Sequence, residues 1–145
     1  MVRQLLLGGL VSVINIAIHS MIMATVVGVA QRASAKKTPH PSLFLAAVMI
    51  PIVTVLMATH TAEVLIWAWA YALVDAAPAN TRLVYFAFVN YTTLGYGDVL
   101  PVERWQLLGP ITAMNGVLMF GWSTAVIFEV LRRTIERGAT TSASR

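Results

Sequence analysis

The chain has 145 residues, 58% of them hydrophobic and only 11% charged, with a mean hydropathy of +0.75. A soluble domain carries roughly a quarter charged residues, so this composition excludes an ordinary water-soluble fold and points to a bilayer as solvent. Ten Lys and Arg against six Asp and Glu make the chain basic, and the lack of cysteine excludes a disulfide framework and a thiolate metal site.

The first apolar run, LLLGGLVSVINIAIHSMIMATVVGVA, covers residues 5–30. At ~1.5 Å per residue it can cross a ~30 Å hydrocarbon core. It is too long and continuous for the apolar stretch of a cleaved signal, so residues 1–31 read as a retained transmembrane helix. The loop RASAKKTPHP follows, with Arg32, Lys36 and Lys37. The second run spans 43–74 and exceeds one perpendicular crossing; it reads as a single crossing with an overhang, and Pro51 offers a kink. Trp67, Trp69 and Tyr71 at its far end, and Trp105 at the start of the third run, fit an interfacial aromatic belt.

Residues 81–92 are apolar and aromatic but too short to cross a bilayer, with Asn80 or Thr81 as a cap at the start. The chain then passes through YTTLGYGDVLP (91–101) into the third long run, 105–131, with Pro110 in its first turns. Irregular backbone at membrane depth survives only inside protein or beside water, which makes 81–101 a re-entrant segment. Arg132, Arg133, Arg137 and Arg145 follow the third run, and residues 134–145 read as a short, polar, disordered cytoplasmic tail. Basic residues favour the cytoplasmic side, so the 32–41 loop and the C-terminus are expected inside. The N-terminus and the 75–104 segment are then expected outside a cell (inner) membrane, with Arg3 alone counting against this orientation.

Thr92-Thr93-Leu94-Gly95-Tyr96-Gly97-Asp98 resembles the selectivity-filter signature of potassium channels, usually written TTVGYGD. The surroundings match too: an outer helix, a short pore helix, a proline and a tryptophan after the acid (Pro101, Trp105), and Gly116 midway along the inner helix. The resemblance covers residues 43–133, with outer helix 43–74, pore helix 81–92, filter 93–97 and inner helix 105–131. The minimal size is that of a small bacterial type, with the first helix as an addition.

The resemblance implies an all-α membrane protein, three transmembrane helices with a re-entrant pore helix and filter loop, assembled as a homotetrameric channel for potassium ions. The filter oxygens would be the carbonyls of Thr93, Leu94, Gly95 and Tyr96, and Gly95 and Gly97 would supply the positive φ that such a backbone needs. Thr92, Asp98, Tyr85 and Phe86 would support the filter, and Gly116 would serve as a gating hinge or as a close-packing site. The sequence departs from the usual pattern at Leu94, commonly valine, and at Phe86, commonly tryptophan. No cofactor is expected beyond the permeant ion.

Polar residues inside the apolar runs are functional hypotheses by default. His60 and Glu63 share a face of the second run, and His19 lies at similar depth on the first. Three readings stand for this set: interhelical hydrogen bonding, a proton-sensitive element, or a metal site of two imidazoles and a carboxylate. Asn115 faces either a water-filled cavity or a neighbouring helix, and Glu129 is placed to pair with Arg132 or Arg133. No helix carries arginine at every third position, so there is no voltage-sensor pattern, and no enzyme constellation is visible. The alternatives to a potassium channel are a weakly selective cation channel and a regulatory membrane subunit of a channel complex.

Overall fold

The computed structural model describes residues 1–33 and 41–143. The lysines Lys36 and Lys37 and the terminal Arg145, used above for orientation, lie outside these residues. The described residues form α1 (Val2–Ala33), α2 (Pro41–Leu73), the short α3 (Leu83–Tyr91), a 3-10 turn at Glu103–Trp105, and α4 (Leu108–Ala143). Three of the helices are long and apolar enough to cross a membrane, over Val2–Arg32, Leu43–Leu73 and Glu103–Glu136. α3 has nine residues and cannot.

These runs are helical because lipid leaves the backbone no other partner than itself. Side-chain hydroxyls obey the same constraint. Thr25, Thr54 and Thr61 donate back to the carbonyls of Met21, Ile50 and Met57 at 2.8–2.9 Å. α2 ends where Asp75 takes a left-handed φ of 49° and the Ala76 N–H reaches the Tyr71 carbonyl, a closure of the Schellman kind. α3 starts differently from expectation. Its N-cap is Arg82 with no side-chain cap, because Asn80 takes φ 64° in the preceding turn and Thr81 N–H closes that turn onto Pro78. α4 also runs past 131 to Ala143, so part of the expected disordered tail is helical. Glu129, Arg132 and Glu136 explain the extension: Arg132 bonds both carboxylates at 2.8–3.0 Å, and Arg133 bonds Glu129, all at i,i+3 or i,i+4 spacing.

α1 packs against both α2 and α4, and α3 lies between α2 and α4. Two apolar clusters result. One joins Val11, Val64, Trp67, Tyr71, Phe86, Tyr91, Leu108 and Met119. The other, towards the opposite end of the bundle, joins Met23, Val26, Val48, Ile52, Leu56 and Val130. Buried polar side chains, among them Asn15, His19, His60, Glu63, Asn115 and Ser123, form a layer between the helices.

The aromatic stretch WAWAY divides in two. Trp67 and Tyr71, four apart on one helical face, are fully buried, while Trp69 points outward. Trp67 and Tyr71 therefore belong to the core and not to an interfacial belt. Their polar ends explain the placement, since Trp67 Nε1–H donates to Asn115 at 3.0 Å and Tyr71 shares a 2.6 Å bond with Thr112.

Gly116 sits where α4 crosses the end of α3, and a Cβ there would overlap the Tyr91 carbonyl oxygen. Gly121 has nothing within 4 Å of such a Cβ. Gly116→Ala should therefore destabilise the detergent-solubilised protein by about 1–3 kcal/mol through overpacking. Gly121→Ala should be neutral or stabilising by up to about 1 kcal/mol, the helix-propensity gain. Denaturant unfolding of the two variants side by side measures the difference.

Candidate functional site

The loop after α3 is built from left-handed turns. Thr92 caps the helix, its N–H reaching the Phe88 carbonyl, and Thr93 and Leu94 N–H groups bond back to Asn90 and Val89. Thr93, Gly95 and Gly97 take φ of 58°, 62° and 75°, while Leu94 and Tyr96 between them do not have positive φ. Alternating hand along successive residues turns peptide planes the same way, which lines up groups of one kind along one side. Glycine adopts positive φ freely, but a β-branched threonine does so only under local strain. Such strain persists where the surroundings over-determine the backbone, and it clusters at functional sites.

The side chains of this loop are uncovered by their own chain. Thr92 to Asp98 are all exposed, Tyr96 to 67%. Phe86 is buried against the Tyr71 ring, with centroids 5.1 Å apart. Tyr85 lies in the first turn of α3, where its hydroxyl interacts with the Asp98 carboxylate. That interaction, followed by partial burial, pushes the Tyr85 phenol above its ordinary range.

Behind the loop lies the polar layer, and the structure brings His19, His60 and Glu63 together. His19 Nδ1 meets Glu63 Oε1 at 2.8 Å, and His60 Nδ1 meets Oε2 at 3.1 Å. The ring centroids are 5.4 Å apart. Two further partners come from elements that the sequence did not tie to this set. The Tyr91 hydroxyl, at the last residue of α3, donates to Glu63 Oε2 and lies 3.1 Å from His60 Nδ1. Ser123 Oγ on α4 faces both remaining imidazole nitrogens, His60 Nε2 at 3.0 Å and His19 Nε2 at 3.3 Å. His19, Glu63 and Tyr91 are fully buried.

One helical turn away, Asn15 Nδ2 donates to Asn115 Oδ1 at 3.1 Å and to the Glu63 carbonyl at 3.4 Å. Asn115 thus faces neighbouring helices of its own chain. Asn15 and His19 lie one turn apart on α1, and Asn115 and Ser123 two turns apart on α4, so polar side chains at helical spacing were the available signal.

The three groups His19, His60 and Glu63 each offer one ligand-type atom within 4.8 Å of the others, a spacing open to a metal ion. Their chemistry, imidazole and carboxylate, suits a divalent cation such as zinc. In this structure those atoms are engaged in the hydrogen bonds above. Tyr91 is held twice, since its hydroxyl meets Glu63 and its carbonyl packs against Gly116, and it immediately precedes the left-handed loop.

Removing the carboxylate leaves Tyr91, His19 and His60 without their common acceptor in a buried setting. Breaking a buried pair by deleting one partner costs about 3–5 kcal/mol. Glu63→Ala should therefore be among the most destabilising single changes in the bundle, whereas Glu129→Ala, on exposed pairs, should have little effect. Unfolding in mixed detergent micelles compares them.

No curated protein and no solved structure matches the chain. A protein-family model described as "Ion channel" matches residues 59–133, from the middle of α2 through the loop to the lower part of α4. The matched segment, more than half of the chain, contains α3, the left-handed loop, His60, Glu63, Tyr91 and Ser123. With its three membrane-crossing helices, the chain is a multi-pass membrane protein that belongs to this ion-channel family.

Proposed function

We propose that the protein is a potassium-selective channel, formed by four copies around one axis, with residues 93–97 as its filter. The observation that carries this reading is the run of alternating left-handed residues Thr93, Gly95 and Gly97, uncovered by the chain's own helices and set in the potassium-channel-like sequence TTLGYGD. Dehydrated potassium needs rings of oxygen in place of water, and one strand supplies only part of each ring. Cyclic assembly completes the rings and covers the exposed loop. The carbonyls of Thr93, Leu94, Gly95 and Tyr96 coordinate the ion. α3 directs its partially negative C-terminal end inward, where a cation gains from it. Conduction is passive, by exchange of hydration water for these carbonyls and repulsion between neighbouring ions. The basic residues Arg32, Arg132 and Arg133 support an orientation in the cell membrane with these helix ends on the cytoplasmic side and the N-terminus outside.

The placement of Phe86 favours a second reading. It is buried against Tyr71 and so offers Tyr96 no ring to pack on, and a loosely held filter would discriminate weakly between cations. The two readings separate in liposomes carrying the purified protein. The first predicts potassium flux at least about tenfold above sodium flux and loss of that preference in Gly95→Ala, whose φ of 62° an alanine adopts only with strain. Equal fluxes support the weakly selective channel. No flux of either ion supports a regulatory subunit.

A further inference from the structure

Count the hydrogens in the buried cluster. Glu63 receives contacts from His19 Nδ1, His60 Nδ1 and Tyr91, and Ser123 Oγ faces the two Nε2 atoms, which makes five contacts. A sixth, between His60 Nδ1 and the Tyr91 oxygen, shares the His60 proton already counted. Each of the five needs one hydrogen between its heavy atoms. Tyr91 and Ser123 contribute one each, which leaves three for Glu63, His19 and His60 together. A carboxylate and two neutral imidazoles carry only two. One contact would then have two lone pairs facing each other among buried side chains.

From this count we infer that His19, His60 and Glu63 together hold one extra proton, which makes the cluster electrically neutral and fixes Tyr91, and with it the inner end of the loop 93–97. That proton sits on an imidazole, so that an imidazolium faces the Glu63 carboxylate and the total charge of the cluster is zero. The neutrality has its own reason. A lone carboxylate in a membrane-spanning bundle costs several kcal/mol, and an imidazolium at hydrogen-bond distance offsets that cost.

The cluster joins every element that can move the loop: α1 through Asn15 and His19, α2 through His60, Glu63 and Trp67, α4 through Asn115 and Ser123, and α3 through Tyr91. The rings of Trp122 and Phe120 on α4 lie tilted against His19 and His60, with centroids 5.3 and 4.6 Å apart. Glu63 is thus a positioning residue. It touches no permeant ion but sets where Tyr91 hands the chain to Thr92.

The proton count is read directly by nitrogen-15 NMR of the full chain in lipid vesicles at neutral pH, with labelled histidine and a His40→Gln background. The expected spectrum shows three protonated ring nitrogens over the two remaining rings, with no bound metal. Ser123→Ala removes the two contacts that demand the extra hydrogen, so its spectrum should fall to two protonated nitrogens while the fold persists. A merely structural serine would leave the count unchanged. Two protonated nitrogens in the parent protein, or one zinc ion per chain with unprotonated nitrogens on both rings, overturns the inference.

The positioning half rests on the channel reading. Tyr91→Phe keeps the ring and the spectrum's count but deletes the bond to Glu63. It should lower the potassium-over-sodium flux ratio about tenfold, the scale of one hydrogen bond to a charged group. An unchanged ratio overturns the positioning role. If the parent chain passes no ions at all, the channel reading fails, and the spectrum still decides the proton count.

Discussion

A carboxylate buried in a membrane-spanning bundle has to find every partner inside the protein, and Glu63 finds three. That single constraint organises the bundle. Its acceptors draw His19 from α1, His60 from its own helix and Tyr91 from α3, while Ser123 on α4 closes the ring behind the imidazoles. Lipid supplies no hydrophobic drive for one helix to leave it and join another, so packing and polar contacts have to specify the docking. In the proposed pore of α2, α3 and α4, α1 has no obligatory place. Asn15 and His19 give it one, and Gln4 adds a third point by accepting from the Leu107 N–H at 2.8 Å.

The same contacts reach the loop. Tyr91 is pinned by its hydroxyl to α2 and by its carbonyl to Gly116 of α4, so the residues after it leave α3 from a fixed point. A strained threonine at φ 58° then follows within two residues. Strain of that kind, of order 1–3 kcal/mol, is held only when the neighbours leave no alternative. The network is buried where the loop is uncovered, the division that the proposed filter, with its remaining partners on other copies of the chain, requires.

Much of this was legible in the sequence, because membrane helices and filter-like loops have strong local signatures. The first two long helices and the short helix were placed within about two residues at each end, and the start of the third within three, while that third helix runs twelve residues past the expected end. His60 and Glu63 share a face by spacing, and similar depth put His19 beside them. Tyr91 was legible only as part of the short helix, since nothing local distinguishes a tyrosine that faces a carboxylate from one that faces lipid. Trp67 and Tyr71 misled for a related reason. Aromatic residues near a helix end usually mark the interface, and only the partners Asn115 and Thr112, more than forty residues away, turn them inward. The Asn80 cap failed because a left-handed turn claimed that residue. The helical extension beyond 131 depended on Glu129 and Glu136 both bonding Arg132, which composition alone does not reveal.

The account stands or falls on whether the exposed, alternating loop is a lining shared between chains. A cryo-electron microscopy map of the protein in lipid nanodiscs with potassium tests this directly. The account predicts four copies around one axis, residues 93–97 facing that axis, ion density between their carbonyls, and continuous density joining Tyr91, Glu63 and the two imidazoles in each copy. A map in which the loop faces lipid, or in which Glu63 is parted from Tyr91, would contradict it.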